Sequence, residues 1–191
     1  MARTPSTMLE LGTPAPEFTL PEPATDEQVS LSDFTGQPLL VIFSCNHCPF
    51  VLHILDSLVE VITAFQGKGI SCVMINSNDV EGYPDDSPDK MIELASERAF
   101  SFPYLYDQSQ QVAQDYRAAC TPDLFLFDRN HRLYYRGQFD GARPGNDVAV
   151  TGADLSAAMS ALLAGQTAPS QQLPSLGCNI KWRAGNEPEY F

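Results

Sequence analysis

The sequence predicts an α/β domain built on a central mixed β-sheet flanked by helices, with N-terminal and C-terminal extensions. Two observations carry this. Short β-branched and aromatic runs alternate with stretches whose apolar residues fall at helical spacing, the pattern of a sheet covered by helices rather than of a bundle or sandwich. The proline-rich pieces lie near the ends, at 13–23 and 168–174, and read as extended arms. At 191 residues the chain most simply forms one domain. The expected division is a flexible arm over 1–11, the domain over 12–166, and an arm over 167–191 that packs back on it.

The first strand is 38–44 (PLLVIFS), apolar without alternation, as in a central strand covered on both faces. It ends at Cys45. After Pro49, residues Val51, Ile54, Leu55, Leu58, Ile62 and Phe65 share one helix face, and Gly67 and Gly69 stop that helix. The strand 70–76 (ISCVMIN) follows, and strand, helix, strand of this length makes a parallel right-handed crossover. A polar loop over 77–89 leads to Ser87 as N-cap and Pro88 at the first helical position, with Met91, Leu94 and Ala95 as the apolar stripe. Asp107 and Gln110 match a capping box before Val112, Ala113 and Tyr116. The runs 124–127 and 133–137 flank a polar turn of hairpin length, Asp128, Arg129, Asn130 and His131. Thr151 as cap and Asp154 as first-turn acid open a last helix that buries Leu155, Met159 and Leu162 and ends at Gly165.

Eleven Lys and Arg against 24 Asp and Glu give a formal net charge of −13, with no run of five like charges. This excludes a nucleic-acid surface and disfavours anionic membranes. The longest apolar run, 38–43, is far short of the roughly 18 residues of a membrane span, and a signal-peptide core is missing. The expectation is a cytoplasmic protein. In that reducing compartment cysteines are catalytic, metal-bound or buried rather than paired, and an odd count of five agrees.

Cys45-Asn46-His47-Cys48 is a C-x-x-C where a buried strand hands over to a helix. Backbone N–H groups and the helix dipole there favour an anion at Cys45. A thiolate is the nucleophile that disulfide exchange requires, and Cys48 in the first turn can swing back to resolve a mixed disulfide. His47 either adds to thiolate stabilisation as a cation or faces solvent; no carboxylate partner for it is evident. Half a zinc site is the other use of a C-x-x-C, but a second paired element at matching spacing is absent. No metal and no cofactor are expected.

The second element is Cys120-Thr121-Pro122, a proline directly before a buried strand. Only an X-Pro bond is readily cis. A cis Thr121-Pro122 bond leaves the Thr121 backbone open to pair with an extended substrate beside Cys45. A trans proline at a strand start is the alternative.

With APEFTL, FSCNHCPFV, INSNDVEGYPDDSPDKM, FPYLYD, CTPDLFLFD, YRGQFD and GCNIKW, the chain resembles the thioredoxin-like superfamily from Gly12 to Trp182. Within it, the resemblance is to the redoxin or AhpC/TSA peroxiredoxin-like branch. It implies a thioredoxin fold, Cys45 as the attacking thiol, Cys48 as its resolving partner and Pro122 as a cis-proline. Two departures bear on chemistry. A peroxiredoxin carries Pro seven residues and Thr or Ser three residues before its peroxidatic Cys; Pro38 fits but Ile42 does not. Thioredoxin has Trp before the first Cys and Gly-Pro between the two, where this chain has Ser44 and Asn46-His47.

Cys72 reads as a small buried hydrophobe. Cys120 either faces the C-x-x-C or simply packs, and Cys178, on an arm anchored by Trp182, is either a further redox thiol or a packing residue. Asn78, Asp79, Tyr83, Asp85 and Asp86 border the carboxyl edge of the sheet and receive no catalytic role, and Asp140 with Arg143 reads as a surface pair. The expected function is a thiol-disulfide oxidoreductase acting through Cys45 and Cys48, with Asn46, His47, Thr121 and Pro122 supporting and Cys120 and Cys178 as additional redox candidates. Its partners are protein or low-molecular-weight thiols and disulfides and an external thiol reductant. The alternatives are a thiol peroxidase acting on peroxides and a non-catalytic metal-binding or interaction module.

Overall fold

The structure, a computed structural model, describes residues 3–190; Met1, Ala2 and Phe191, the outer ends of the two expected arms, lie outside the described residues. The elements run β1 (Thr4–Pro5), β2 (Thr19–Glu22), β3 (Glu27–Ser30), β4 (Leu39–Phe43), α1 (Pro49–Gln66), β5 (Ser71–Asn76), α2 (Pro88–Glu97), β6 (Tyr104–Tyr106), α3 (Gln111–Asp115), β7 (Cys120–Thr121), β8 (Asp123–Phe127), β9 (Leu133–Arg136), α4 (Ala153–Leu163) and β10 (Leu176–Asn179).

The central sheet has the order β6-β5-β4-β8-β9. β4 pairs parallel with β5, and β5 with β6, while β8 pairs antiparallel with β4 and β9. The sheet is therefore mixed, as expected, and it is that of the thioredoxin fold. Side chains alternate across it with period two. Leu40, Ile42, Met74, Leu124 and Leu126 point to one face, where Ile54, Leu58 and Ile62 of α1, Met91 of α2 and Leu155 and Met159 of α4 cover them. Leu39, Val41, Phe43, Val73, Ile75, Phe125 and Phe127 point to the other, under Phe18, Leu20, Tyr116, Ile180 and Trp182. Each fully buried Leu, Ile or Phe contributes about 1.5–3 kcal/mol, so these two layers dominate the stability. α1 is long and apolar enough to cross a membrane by length and composition, but seven of its residues are buried inside the domain, four of them, Ile54, Leu58, Ile62 and Phe65, against this sheet.

Several local expectations are corrected. Part of the stretch read as an extended arm forms the β2–β3 hairpin, with Thr19 opposite Ser30. Thr4 and Pro5 of the N-terminal arm pair antiparallel with Gly177 and Leu176. Asp107 and Gln110 form no capping box. Gln110 is left-handed, at φ 65°, and its amide donates to the carbonyls of Ser77 and Lys181, while Asp107 accepts from Ser77 Oγ and the Ala113 amide. Those long-range bonds outweigh the local cap. Thr151 is not the cap of α4 either: Gly152 is, at φ 63°, where a Cβ would lie 2.4 Å from the Phe139 ring. Asp140 is buried rather than paired on the surface, and its Oδ2 accepts the Thr151 and Gly152 amides; Arg143 reaches its backbone carbonyl instead.

Candidate active site

β4 delivers the chain to Cys45 at its carboxyl end, and Pro49, whose missing N–H costs nothing at a first helical position, starts α1 directly after Cys48. The four-residue motif thus spans the strand-to-helix junction. Facing it is the Cys120-Thr121-Pro122 segment, whose Thr121-Pro122 bond is cis. Thr121 touches both thiols: its Oγ1 lies 3.5 Å from Cys45 Sγ, and its carbonyl accepts from Cys48 Sγ at 3.1 Å. Cys45, Cys48 and Cys178 are all buried in one apolar cluster with Phe50, Val51 and Leu55. No cysteine is in a disulfide.

The electrostatics invert one expectation. The Cys45 thiol is pushed well above its ordinary pKa by its hydrogen bond to Cys48, by burial and by the Asp86 carboxylate. Cys48 is lowered to about 5 by hydrogen bonds from Cys45, Cys178 and Thr121 and by the Val51 amide in the first turn of α1, which outweigh burial. The two thiols therefore titrate as one interacting pair, with Cys45 pushed up and Cys48 pushed down.

His47 has the carboxylate that the sequence did not reveal. Its Nδ1 lies 2.7 Å from Asp86 Oδ2, and the neighbouring Asp86 raises the His47 pKa above 6.5 against the opposing effect of burial. With the imidazole protonated, the contact is an ion pair with a fully buried carboxylate. Tyr83 stacks on the imidazole, with ring centroids 5.5 Å apart. Asp86 is fully buried and forms a hub. Its Oδ1 accepts the Asn46 amide at 2.7 Å, its Oδ2 accepts Asn78 Nδ2 at 2.7 Å, and its carbonyl accepts Asn76 Nδ2. Asn46 is further fixed by Asp85 O and by the Tyr104 hydroxyl, which donates to its Oδ1.

Cys45, His47 and Asp86 offer three ligand atoms within 4.8 Å of one another, so they are the residues that could hold a metal ion. A cation there would have to displace the Asn46 and Asn78 donors that already satisfy the carboxylate. Cys120 turns away from the pair: its Sγ donates to Pro122 O at 3.5 Å, and burial pushes its pKa up. Cys72 is buried in β5 and likewise raised. The structure brings Cys45, Asn46, His47, Cys48, Thr121 and Pro122 together; it also draws in Asp86 and Asn78, expected only to border the sheet edge, and Asn76 and Tyr104, which the sequence did not single out. For Asn78 and Asp86 the signal was their position after β5, at the carboxyl edge of the sheet; Asn76 ends β5 itself and Tyr104 opens β6.

The mixed sheet, its flanking helices and the cis-proline segment facing Cys45 and Cys48 place the chain in the thioredoxin-fold class. Within that class the chain belongs to the AhpC/TSA family, whose model matches residues 11–136. The crystal structure of an uncharacterized conserved protein from Geobacillus kaustophilus is similar over 96% of this chain and 97% of its own, at 47% identity and a TM-score of 0.93. Peroxiredoxin Bcp of Escherichia coli (strain K12) is 30% identical over 136 residues, covering 70% of this chain and 81% of Bcp. The thiol-disulfide oxidoreductase ResA of Geobacillus kaustophilus (strain HTA426) is 25% identical over 128 residues, covering 66% and 68%.

Proposed function

We propose that the protein is a thiol-disulfide oxidoreductase whose redox pair is Cys45 and Cys48. The observation that carries this is the placement of both thiols against Thr121, whose hydroxyl lies 3.5 Å from Cys45 Sγ and whose carbonyl lies 3.1 Å from Cys48 Sγ. Cys48 is walled in by α1, Thr121 and Cys178, whereas Cys45 adjoins the half-buried Asn46 and His47, so Cys45 is the sulfur that meets a substrate. The proton on Cys45 passes along the hydrogen bond to Cys48, and the Cys45 thiolate attacks a substrate disulfide, expelling one substrate thiolate. Cys48 then gives up its proton and attacks Cys45 Sγ in the mixed disulfide. The second substrate thiol leaves, and the Cys45–Cys48 disulfide closes. His47, whose pKa Asp86 raises, is placed to stabilise the departing thiolate and to supply its proton. The partners are protein or low-molecular-weight thiols and disulfides, with an external thiol returning the pair to its reduced state.

Turnover of a model disulfide tests this. Cys45→Ser abolishes it, and Cys48→Ser accumulates a mixed disulfide on Cys45; absence of any trapped adduct with either variant in cell extract overturns the mechanism.

A peroxidase is the second reading, favoured by the likeness to Bcp and by Thr121 Oγ1 at 3.5 Å from Cys45. Thr121 supplies a hydroxyl where Ile42 faces the core and cannot. Rapid loss of the Cys45 thiol with stoichiometric peroxide selects this reading over the first.

A further inference from the structure

The backbone position beside Pro122, where an extended substrate would pair, is taken by the chain itself. β10 runs antiparallel to β7, with Cys178 opposite Thr121 and Asn179 opposite Cys120. Three features build this placement into the sequence. Gly177 lets the strands approach: a Cβ there would lie 2.0 Å from the Thr121 carbonyl oxygen and 2.6 Å from its carbon. Ile180 and Trp182 bury the following residues in the core, and the Lys181 amide donates to Asn78 Oδ1 at 2.8 Å. Cys178 is thereby carried into the buried apolar cluster that holds Cys45 and Cys48.

We propose that Cys178 is a third redox residue, an internal disulfide partner that exchanges with the oxidised pair at Cys48 from the position a substrate strand would occupy. This rests on the reading of Cys45 and Cys48 as the redox pair. The Cys178 thiolate attacks Cys48 Sγ, the Cys48–Cys178 bond forms, and the Cys45–Cys48 bond breaks with its electron pair on Cys45 Sγ. The proton lost by Cys178 ends on Cys45. Electrons are conserved within the chain, so no further oxidant enters.

The exchange is gated by the state of the pair. In the reduced protein, burial and the charge and hydrogen bond of Cys48 push the Cys178 thiol up to about 12, and it stays protonated. Forming the Cys45–Cys48 disulfide removes the Cys48 charge and with it two of the three causes that raise Cys178. Once Cys48 is bonded to Cys178, Cys45 is again a thiol at the side of the site next to His47, ready for a second disulfide.

The test is disulfide mapping of the full chain in glutathione buffers of graded potential, with alkylation and mass spectrometry. Oxidised wild-type protein is expected to contain both Cys45–Cys48 and Cys48–Cys178. Their ratio stays constant across the buffers, because isomers differ by no electrons. Cys45→Ser is expected to form Cys48–Cys178 reversibly, and Cys178→Ala to retain Cys45–Cys48 alone, with the thermal melt of each reporting its fold. A wild type that forms only Cys45–Cys48, with no Cys48–Cys178 in the folded Cys45→Ser protein, overturns the role of Cys178 and leaves the redox pair standing. A wild type in which Cys45 and Cys48 never pair overturns both.

Discussion

Asp86 and His47 meet at 2.7 Å although α1, β5 and a polar loop separate them in sequence. The carboxylate is fully buried, and besides the imidazole it accepts the Asn46 amide and the Asn78 side chain. One side chain thus orients the two residues between the cysteines and ties them to the edge of β5.

The pair makes stability depend on pH in a defined direction. The folded His47 pKa lies above its unfolded value near 6.5, so its contribution is fully present below that value and is lost as pH rises through the folded one. The stability advantage of the wild type over His47→Ala is therefore greatest below about pH 6.5 and shrinks above it. An NMR titration of the imidazole is expected to fall back toward 6.5 in Asp86→Asn. An unmoved titration shows that Asp86 does not set the charge of His47.

The charge distribution over the thiols predicts unequal effects of removing them. With Cys45 replaced by Ala, Cys48 loses the largest cause of its lowering and titrates above about 5, the Cys178, Thr121 and Val51 contacts still opposing burial. With Cys48 replaced, Cys45 keeps its burial and the Asp86 carboxylate and titrates above an ordinary cysteine. Thiolate absorbance against pH reads both. The opposite order returns the anion to Cys45.

A thiolate held at about 5 on Cys48 stabilises the dithiol form at neutral pH. The Cys45–Cys48 couple is accordingly expected to be more oxidising than thioredoxin, above about −270 mV. Equilibration with glutathione measures it, and a value below that of thioredoxin removes the electrostatic account.

Directly after Pro122, Asp123 pairs with Arg136 at 3.0 Å, both side chains fully buried. Arg136 also donates to the Arg117 carbonyl and lies over the Phe125 ring. Arg136→Met leaves the carboxylate without its cation and is expected to cost about 3–5 kcal/mol at neutral pH. Burial already raises the Asp123 pKa, and loss of Arg136 raises it further. A folded pKa above the unfolded one favours the folded state as pH falls, so the deficit narrows on acidification. Denaturant midpoints at two pH values decide this.

Gly177→Ala forces a methyl group against the Thr121 backbone and is expected to cost about 1–3 kcal/mol. Its more telling effect is faster alkylation of Cys48 as β10 lifts. Unchanged alkylation shows that β10 does not shield the pair.

What could be read in the sequence had local signals. Strand 38–44, the α1 face, the β8–β9 hairpin and the C-x-x-C at a strand-to-helix junction each leave a period or a terminator in neighbouring residues. What was missed is non-local or too short to carry a period. β10 pairs with β7 over two residues, β6 has three, and Gln110 spends its side chain on the distant Ser77 and Lys181 carbonyls rather than on the nearby helix end. The Asp86 hub has the same character: its ligands come from the C-x-x-C motif, from the end of β5 and from the loop beyond it, and no spacing rule links them.

The family match stops at residue 136, yet the sheet is not closed there. Leu155 and Met159 seal one face from α4, and Ile180 and Trp182 seal the other from beyond β10. The unit that shares homology with the family is thus smaller than the unit that folds. A fragment ended at the homology boundary would bare both sides of its sheet at once, so the last third of the chain is structural cladding as much as it is a neighbour of the thiols.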